Sequence, residues 1–399
     1  MKNVFLSKKV SARLVLTALL FHGVIAYGQQ LTAEQNTAIW HAKQGGIVKL
    51  ENFLTQKIPF IDYQKVVLPG PQFIISDDPE YVRIPDAIAS KERVQPGTVR
   101  LYVYNVNGVV QPFKMDRKIT AILKNTGKSP MHMRMLKYSS QVPSNNYFKI
   151  GKQGLADYFA SKDEGVVKVI MPGAAISIDE KLENYIAKYD ELVHGIYEFV
   201  IDQPGEVSVV QADPKLKGAA VLNKIKNVIP RSHQNAGRGL FGVSNYQITT
   251  DGVYNTDSGP VQIMLADGVK DKWVTGYEGV SGEPVQLAGN YGVMYNIEVK
   301  WKSTNGKGLA LVIWNSSSGN SQWCSGMGTS MVVSNGKYKE GIIQLPVDSL
   351  ITTAAPEAIV VQVFTSSKNG EEQTIHITYS PPGASCLPVP LVLVPVDIK

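Results

Sequence analysis

Over most of the chain, apolar and polar residues alternate in short runs that end at Gly, Pro, Asn or Asp. Residues 99–106 alternate in this way and run into Asn107-Gly108, a dipeptide that predicts a hairpin turn. Residues 195–201 and 206–211 form two further runs, separated by a turn sequence. Short runs of period-two alternation predict strands with one buried face, and many such strands are typical of β-sandwiches. We therefore predict a mainly β fold.

The part of the chain from residue 29 has helical periodicity instead. Thr32 and Gln35 have the spacing of a capping box, and Leu50 and Leu54 lie one helical turn apart. We predict a helical N-terminal segment over residues 29–68, with its clearest helical periodicity in residues 29–58. A few shorter helices are predicted at residues 153–161, 180–190 and 213–225.

The first 28 residues have the pattern of a secretory signal peptide. Four basic residues precede an apolar run from Leu14 to Ala26, and Ala26-Tyr27-Gly28 supplies small residues for a signal peptidase, which predicts cleavage before Gln29. The alternative is a membrane anchor, but a run of about 13 residues is shorter than the roughly 20 that cross a bilayer. The pattern therefore predicts an exported protein, either secreted or held at the cell envelope, with no membrane span in the mature chain.

The mature chain is long enough for two domains. About 370 residues remain after residue 28, which is more than one hydrophobic core usually serves. The stretch 230–239 is polar and contains glycine, so we place a boundary there. We predict a first β-rich domain at 69–229 and a second, β-sandwich-like domain at 230–399. Strands of the second domain are predicted at 261–265, 291–301, 309–314, 342–345, 358–364, 374–379 and 389–394.

Most of the net positive charge of the sequence lies in the predicted leader. The whole sequence has 40 basic and 34 acidic residues, and four of the basic ones precede residue 29, which leaves 36 against 34. No run of Lys and Arg follows a path suited to phosphates, so nucleic acid is not an expected partner.

The sequence contains two cysteines, Cys324 and Cys386. In an exported protein an even pair predicts a disulfide bond. The alternative is two buried, unpaired thiols. Two cysteines without CxxC spacing give no support to a cysteine zinc site.

Five segments resemble a known group of proteins, and their order and spacing extend over most of the mature chain. They are residues 74–82 (IISDDPEYV), 97–108 (GTVRLYVYNVNG), 194–210 (HGIYEFVIDQPGEVSVV), 288–299 (AGNYGVMYNIEV) and 379–395 (YSPPGASCLPVPLVLVP). Together they resemble a family of secreted, uncharacterised bacterial proteins that are often labelled by an attached domain similar to the N-terminal domain of copper amine oxidases. That attached domain is absent here. The resemblance implies secretion and β-rich domains, and it implies no reaction or catalytic residue.

The segment Met131-His132-Met133-Arg134-Met135 is a candidate metal site. On a strand, the side chains of Met131, Met133 and Met135 share one face, and thioethers suit Cu(I), with His132 as a further ligand if the strand curls. The alternative, which we favour, is a strand that packs its methionines into the core while His132 faces solvent.

Two acidic loops are weaker candidates for a functional site. Asp251, Asn255, Asp257 and Ser258 offer oxygen ligands suited to Ca²⁺, but their spacing differs from that of an EF-hand, so a solvated turn is the favoured interpretation. The segment 77–80 (Asp-Asp-Pro-Glu) is interpreted as a turn before a strand. Two further stretches, 290–292 (Asn-Tyr-Gly) and 381–383 (Pro-Pro-Gly), are also interpreted as turns that shape the backbone.

The second domain has aromatic residues near Gly- and Ser-rich turns. If their rings are exposed, they would stack on the apolar faces of sugars. The candidate ligand-binding residues are Trp273, Tyr277, Trp314 and Trp323. The alternative is burial in the core, where large aromatic side chains are common.

No catalytic motif is recognisable in the sequence. There is no GxSxG elbow, the mature histidines are scattered, and no nucleotide-binding fingerprint suggests a cofactor. We therefore expect a non-catalytic binding or structural protein whose partner is an envelope polysaccharide or an envelope protein. A carbohydrate-active enzyme and a copper-handling exported protein are the alternatives.

Overall fold

The computed structural model describes residues 30–235, 237–317 and 324–398. The predicted signal peptide lies outside these ranges. Within them, 44% of the chain is strand and 10% helix, so the predicted mainly β, sandwich-like fold is confirmed. None of the described helices is long and apolar enough to cross a membrane. The α-helices are α1 (Ala33–His41), α2 (Tyr147–Ala160), α3 (Glu180–Asn184) and α4 (Gly218–Val221).

The strands follow one another closely along the described chain. In chain order they are β1 (Ile47–Lys49), β2 (Tyr63–Leu68), β3 (Gln72–Ser76), β4 (Tyr81–Val82), β5 (Ala87–Val94), β6 (Gly97–Asn107), β7 (Lys118–Asn125), β8 (Met131–Ser140), β9 (Val167–Ile170), β10 (Ala175–Ser177), β11 (Leu192–Ile201), β12 (Gly205–Ala212), β13 (Arg238–Phe241), β14 (Asn245–Thr250), β15 (Tyr254–Asn255), β16 (Val261–Leu265), β17 (Thr275–Tyr277), β18 (Pro284–Gln286), β19 (Met294–Lys302), β20 (Gly308–Ile313), β21 (Thr329–Val333), β22 (Gly341–Leu345), β23 (Glu357–Phe364), β24 (Gln373–Tyr379) and β25 (Val389–Val396).

The first sandwich consists of two sheets. Sheet 1 has the order β10-β7-β12-β5, and sheet 2 has the order β18-β17-β13-β3-β6-β11-β8-β9, with β4 paired to β6. Most neighbouring strands are antiparallel, but β3 and β4 run parallel to β6. The core between the sheets is mainly aliphatic and includes Leu101, Val103, Leu123 and Val207.

The second sandwich is built from sheets 3 and 4. Sheet 3 has the order β2-β14-β19-β24-β21-β22, with β15 paired to β19, and sheet 4 has the order β1-β23-β20-β25-β16. Trp301 is among the largest fully buried side chains and lies in the core of this sandwich. On the outer face of sheet 4, Ile39 of α1 packs with Leu50 and Leu54 against strand residues such as Val312.

The predicted helical segment contains a helix only at its start. Thr32 and Gln35 form the predicted capping box, and α1 ends at His41. The chain then turns at Gly45, whose φ is 74°, and continues as β1 and β2, which join sheets 4 and 3. Leu50 and Leu54, whose spacing predicted a longer helix, instead lie in a short irregular stretch that packs on sheet 4.

The sheets draw strands from both sides of residue 230. Strands β13, β17 and β18 follow that residue but extend sheet 2 of the first sandwich. The two sandwiches also share a core, because β6 is buried on both faces. Leu101 and Val103 point into the first sandwich, whereas Tyr102 and Tyr104 point towards the second.

The hairpin predicted at Asn107-Gly108 is wrong. Strand β6 ends there, but the next strand, β7, lies in the opposite sheet. The Asn107 side chain is buried and donates hydrogen bonds to the carbonyl oxygens of Met115, at 2.7 Å, and Ala187, at 2.9 Å. These bonds hold the chain as it crosses between the sheets.

The predicted disulfide is confirmed. Cys324 and Cys386 are bonded, with Cα atoms 5.4 Å apart and a sequence separation of 62. The Cys386 amide also donates to the carbonyl oxygen of Gly326 at 3.0 Å. The bond ties the segment before β21 to the connection between β24 and β25.

Candidate functional site

The methionines of the candidate copper segment lie in the core of the first sandwich. Met131 and Met133 are buried there, and Met135 is partly buried beside them. His132 lies on the other side of β8, where its Nδ1 is 2.7 Å from the Asp202 carboxylate. The structure therefore brings the thioethers to one face and places His132 on the opposite face. In the described ranges, no group of three His, Cys, Asp or Glu side chains is arranged to hold a metal ion.

The candidate calcium loop forms a closed hydrogen-bond network. Thr256–Ser258 is a 3₁₀ turn, and the Asn255 side-chain amide donates to Thr304 at 2.9 Å. Asp257 accepts a hydrogen bond from the Thr304 hydroxyl. Asp251 lies at the preceding turn, after β14. The side chains of Asn255, Thr256 and Asp257 thus bond to the 303–305 turn.

The candidate sugar-binding aromatics do not form one row. Tyr277 is 66% exposed on β17, and Trp273 is half-buried in the same segment, where its indole N–H donates to the carbonyl oxygen of Ala266 at 3.3 Å. Trp314 packs at the outer face of sheet 4, with the core that contains α1. Trp323 lies outside the described residues.

A different group of residues comes together where the two sandwiches meet. We call it the Asp77 cluster, and it consists of Asp77, Glu80, Tyr104 and Tyr291. The negative charges of both carboxylates raise the pKa values of Tyr104 and Tyr291, and the charge of Glu80 also raises the pKa of Asp77. Neither carboxylate forms an ion pair with another residue of the described ranges.

The turn that carries the two carboxylates follows the carboxyl end of β3. Asn105 of β6 supports this turn: its side-chain oxygen accepts from Ser76 at 2.9 Å, and its side-chain nitrogen donates to the carbonyl oxygen of Pro79 at 3.0 Å. The Glu80 carbonyl accepts from the Val106 amide at 2.6 Å. Parallel pairing of β3 and β4 with β6 thus places the Asp77–Glu80 turn over the end of β6.

Close backbone packing positions the tyrosines. The Gly383 amide donates to the Tyr102 hydroxyl at 2.7 Å, and a Cβ at Gly383 would lie only 2.2 Å from the Tyr104 ring. Gly292 has φ 76°, and its amide donates to the carbonyl oxygen of Pro381 at 3.1 Å. Glycine is required at both positions because a side chain would displace a tyrosine ring.

A second pair of tyrosines forms the rim. The hydroxyls of Tyr81 and Tyr147 are 3.0 Å apart, and the Tyr147 hydroxyl lies 3.4 Å from the Asp190 carboxylate. Beneath the cluster, His194 Nδ1 donates to the carbonyl oxygen of Val103 at 2.8 Å. Burial lowers the pKa of His194 to about 4, so the imidazole is neutral at physiological pH.

The carboxylates of the cluster are held in an unfavourable electrostatic environment. Burial raises the pKa of Asp77 well above its ordinary value, and the charges of Glu80 and Asp78 raise it further. Burial also raises the pKa of Glu80, although this residue is exposed at the surface. Among the described residues, none donates a hydrogen bond to the Asp77 carboxylate, and none forms an ion pair with it. Such uncompensated groups are characteristic of functional sites.

Sequence reasoning missed this site because it interpreted its parts separately. Residues 77–80 and 290–292 were each interpreted as turns, and Tyr104 as one position of a strand. All five segments that carry the family resemblance supply residues to the cluster or to the backbone and imidazole beneath it. The available signal was local: three acidic residues occur within positions 77–80, and no basic residue follows before Arg83.

Comparisons with known proteins leave the chain without an assigned family. No protein-family model and no curated protein matches it. Solved structures with some similarity include the CUB1-EGF-CUB2 domain of human MASP-1/3, at 9% identity over 77% of this chain and 99% of that one, with a TM-score of 0.18. GK1651 from Geobacillus kaustophilus is 10% identical over 90% and 98% of the two chains, with a TM-score of 0.12. A Lactobacillus farciminis oxalate decarboxylase formate complex is 9% identical over 84% and 88%, with a TM-score of 0.15. Scores this low support no inference about this chain.

Proposed function

We propose that this is an exported envelope or extracellular protein that binds polysaccharide through the Asp77 cluster. One observation supports the proposal most: Asp77 and Glu80 form no ion pair with a described residue, and their charges raise the pKa values of Tyr104 and Tyr291. Carboxylate oxygens accept hydrogen bonds from sugar hydroxyls, and aromatic rings pack on the apolar faces of sugar rings. A binding site of this kind needs few polar groups if the fold holds them in place.

The disulfide supports the exported part of the proposal. Disulfide bonds persist in oxidising compartments, which fits a protein that is secreted or held at the cell envelope. Mass spectrometry of protein from the culture medium or envelope is expected to find Gln29 as the first residue. An intact leader in that material would contradict export by signal-peptide cleavage.

The binding site can be tested by co-sedimentation of the mature protein with purified envelope polysaccharide. We expect Tyr291→Ala and Glu80→Gln each to weaken binding about tenfold, because a tenfold loss corresponds to about 1.4 kcal/mol, in the range of one lost hydrogen bond to a charged group. Neither side chain donates or accepts a hydrogen bond with another described residue, so the fold is expected to survive; thermal unfolding verifies this.

Tyr277→Ala is the matched control, since Tyr277 is a largely exposed tyrosine in the segment of the aromatic candidates. If Tyr277→Ala loses binding while Tyr291→Ala keeps it, the ligand binds at the Trp273–Tyr277 segment and the proposal is wrong. Full binding by both folded cluster variants also rejects it.

Glycoside hydrolysis is a second candidate function of the same site. It is favoured by the raised pKa of Asp77, since the general acid of a glycosidase is a carboxyl group whose pKa is raised. New reducing ends after incubation with polysaccharide, lost in Asp77→Asn, would establish this activity. Binding without new reducing ends would leave polysaccharide binding as the function.

A further inference from the structure

A cavity of about 520 Å³ lies beside the start of β7 in the first sandwich. Phe113 and Ile186 form an apolar part of its wall, and these side chains are 63% and 53% exposed. Arg117 also lines the cavity but is only 6% exposed. The cavity therefore combines exposed apolar surface with a buried cationic side chain.

The Arg117 guanidinium has few hydrogen-bond partners for a buried group. Its Nη2 donates to the Met115 sulfur at 3.0 Å, and a thioether is a weak acceptor. Its Nη1 is 4.0 Å from the Asp86 carboxylate, which is beyond hydrogen-bond distance, and its Nε is buried without a partner. A guanidinium has five N–H donors, and buried polar groups normally find partners. Arg117 thus keeps donors that the described residues leave unused.

Backbone hydrogen bonds fix the position of Arg117. Its amide donates to the carbonyl oxygen of Ala187 at 2.9 Å, and the Ala187 amide donates to the carbonyl oxygen of Arg117 at 2.7 Å. The buried side chain of Asn107 holds the carbonyl oxygens of Met115 and Ala187 on either side. The cationic part of the cavity is therefore held in place before any ligand binds, as is usual for small-molecule sites.

The remaining charged side chains of the cavity are more exposed and partly engaged. Lys114 lies over the Tyr189 ring, with Nζ 4.3 Å from the centroid, and Lys215 is exposed. The Asp213 carboxylate accepts from the Lys215 amide at 2.9 Å, and Asp116 is exposed. Three cationic side chains and two carboxylates thus line the cavity, which favours an anionic ligand.

We infer that this cavity binds an aliphatic carboxylic acid, whose carboxylate accepts hydrogen bonds from the Arg117 guanidinium and whose apolar chain packs on Phe113 and Ile186. Hydrogen bonds between a guanidinium and a carboxylate are charge-assisted and strong. The lining includes no Ser, Thr, Asn or Gln that would recognise sugar hydroxyls, which favours an aliphatic acid over an acidic sugar. The inference goes beyond the proposed function, since no residue of the Asp77 cluster lines this cavity.

The experiment is isothermal titration of the mature protein at pH 7 with octanoate and with 1-octanol, a neutral compound of the same chain length. We expect octanoate to bind about tenfold more tightly, because it alone makes hydrogen bonds between two charged groups. Arg117→Met should remove this preference, whereas Phe113→Ala should weaken both ligands and keep it. The matched controls are Arg134→Met and Phe60→Ala, since Arg134 and Phe60 are exposed and lie outside the cavity lining.

Thermal unfolding verifies that the variants fold. If Arg117→Met does not fold, nuclear Overhauser effects in the wild-type protein locate the ligand. Contacts of octanoate with the ring whose signals disappear in Phe113→Ala support the site, and their absence rejects it.

The remaining outcomes also decide the inference. Equal binding of octanoate and 1-octanol, or no binding of octanoate, would overturn it. An equal loss of preference in Arg134→Met would show general electrostatic attraction and reject the site. Tighter binding of trigalacturonate than of octanoate would assign the cavity to an acidic sugar instead. Polysaccharide binding should be unchanged in Arg117→Met, so failure of this inference leaves the proposed function untouched.

Discussion

Replacement of Glu92 by Gln is expected to stabilise the protein at neutral and alkaline pH. Glu92 lies on β5 and is 1% exposed. Burial raises the pKa of Glu92 from 4.5 to about 7; the Gly279 amide, at 3.1 Å, opposes this rise, and the nearby charge of Glu278 adds to it. Gln keeps the oxygen that accepts from Gly279 and removes the charge. The folded protein therefore no longer has to hold a desolvated carboxylate.

The magnitude follows from proton linkage. Because the pKa of Glu92 is higher in the folded than in the unfolded chain, its contribution is fully favourable below pH 4.5 and is lost as pH rises to about 7. At 1.36 kcal/mol per pH unit, the difference between 4.5 and about 7 corresponds to roughly 3 kcal/mol. Wild type and Glu92→Gln are thus expected to diverge between these pH values and to differ by a constant amount above them.

The assay is urea unfolding of wild type, Glu92→Gln and the exposed control Glu372→Gln at half-unit intervals from pH 4 to 8.5. The free energy of unfolding of Glu92→Gln should exceed that of wild type by roughly 3 kcal/mol at pH 8 and match it near pH 4. A difference that is the same at every pH would refute the reasoning. So would a Gln variant that is less stable than wild type at pH 8.

Two further predictions concern ties between distant segments. Reduction of the bond between Cys324 and Cys386, or replacement of both by Ser, is expected to lower the free energy of unfolding by about 4 kcal/mol. The cause is the entropy of closing a loop with a sequence separation of 62. Equal melting temperatures with and without reductant would contradict this. Lys152→Met removes the ammonium that donates to carbonyl oxygens in the 346–350 loop, at 2.7 and 2.9 Å, and should cost about 1–3 kcal/mol and speed proteolysis of that loop. Lys149→Met, on an exposed position of the same helix, is the control and should cleave at the wild-type rate.

Much of the local structure could be predicted from the sequence. The alternation in residues 99–106 corresponds to β6, and the capping box at Thr32 begins α1. The cysteine count predicted the disulfide. These features depend on neighbouring residues or on a small set of pairing choices, so a single sequence contains the information needed to predict them.

The pairing of strands and the Asp77 cluster were decided only by the tertiary structure. Alternation shows that a residue faces one side of a strand but does not show which sheet that strand joins. The turn signal at Asn107-Gly108 therefore predicted a hairpin, whereas β6 and β7 lie in opposite sheets. Asp77 follows β3, Tyr104 lies on β6 and Tyr291 precedes β19, and only the packing of the two sandwiches brings these segments near one another. The electrostatic cost of that site depends on desolvation, which is set by burial and cannot be determined from residue order alone.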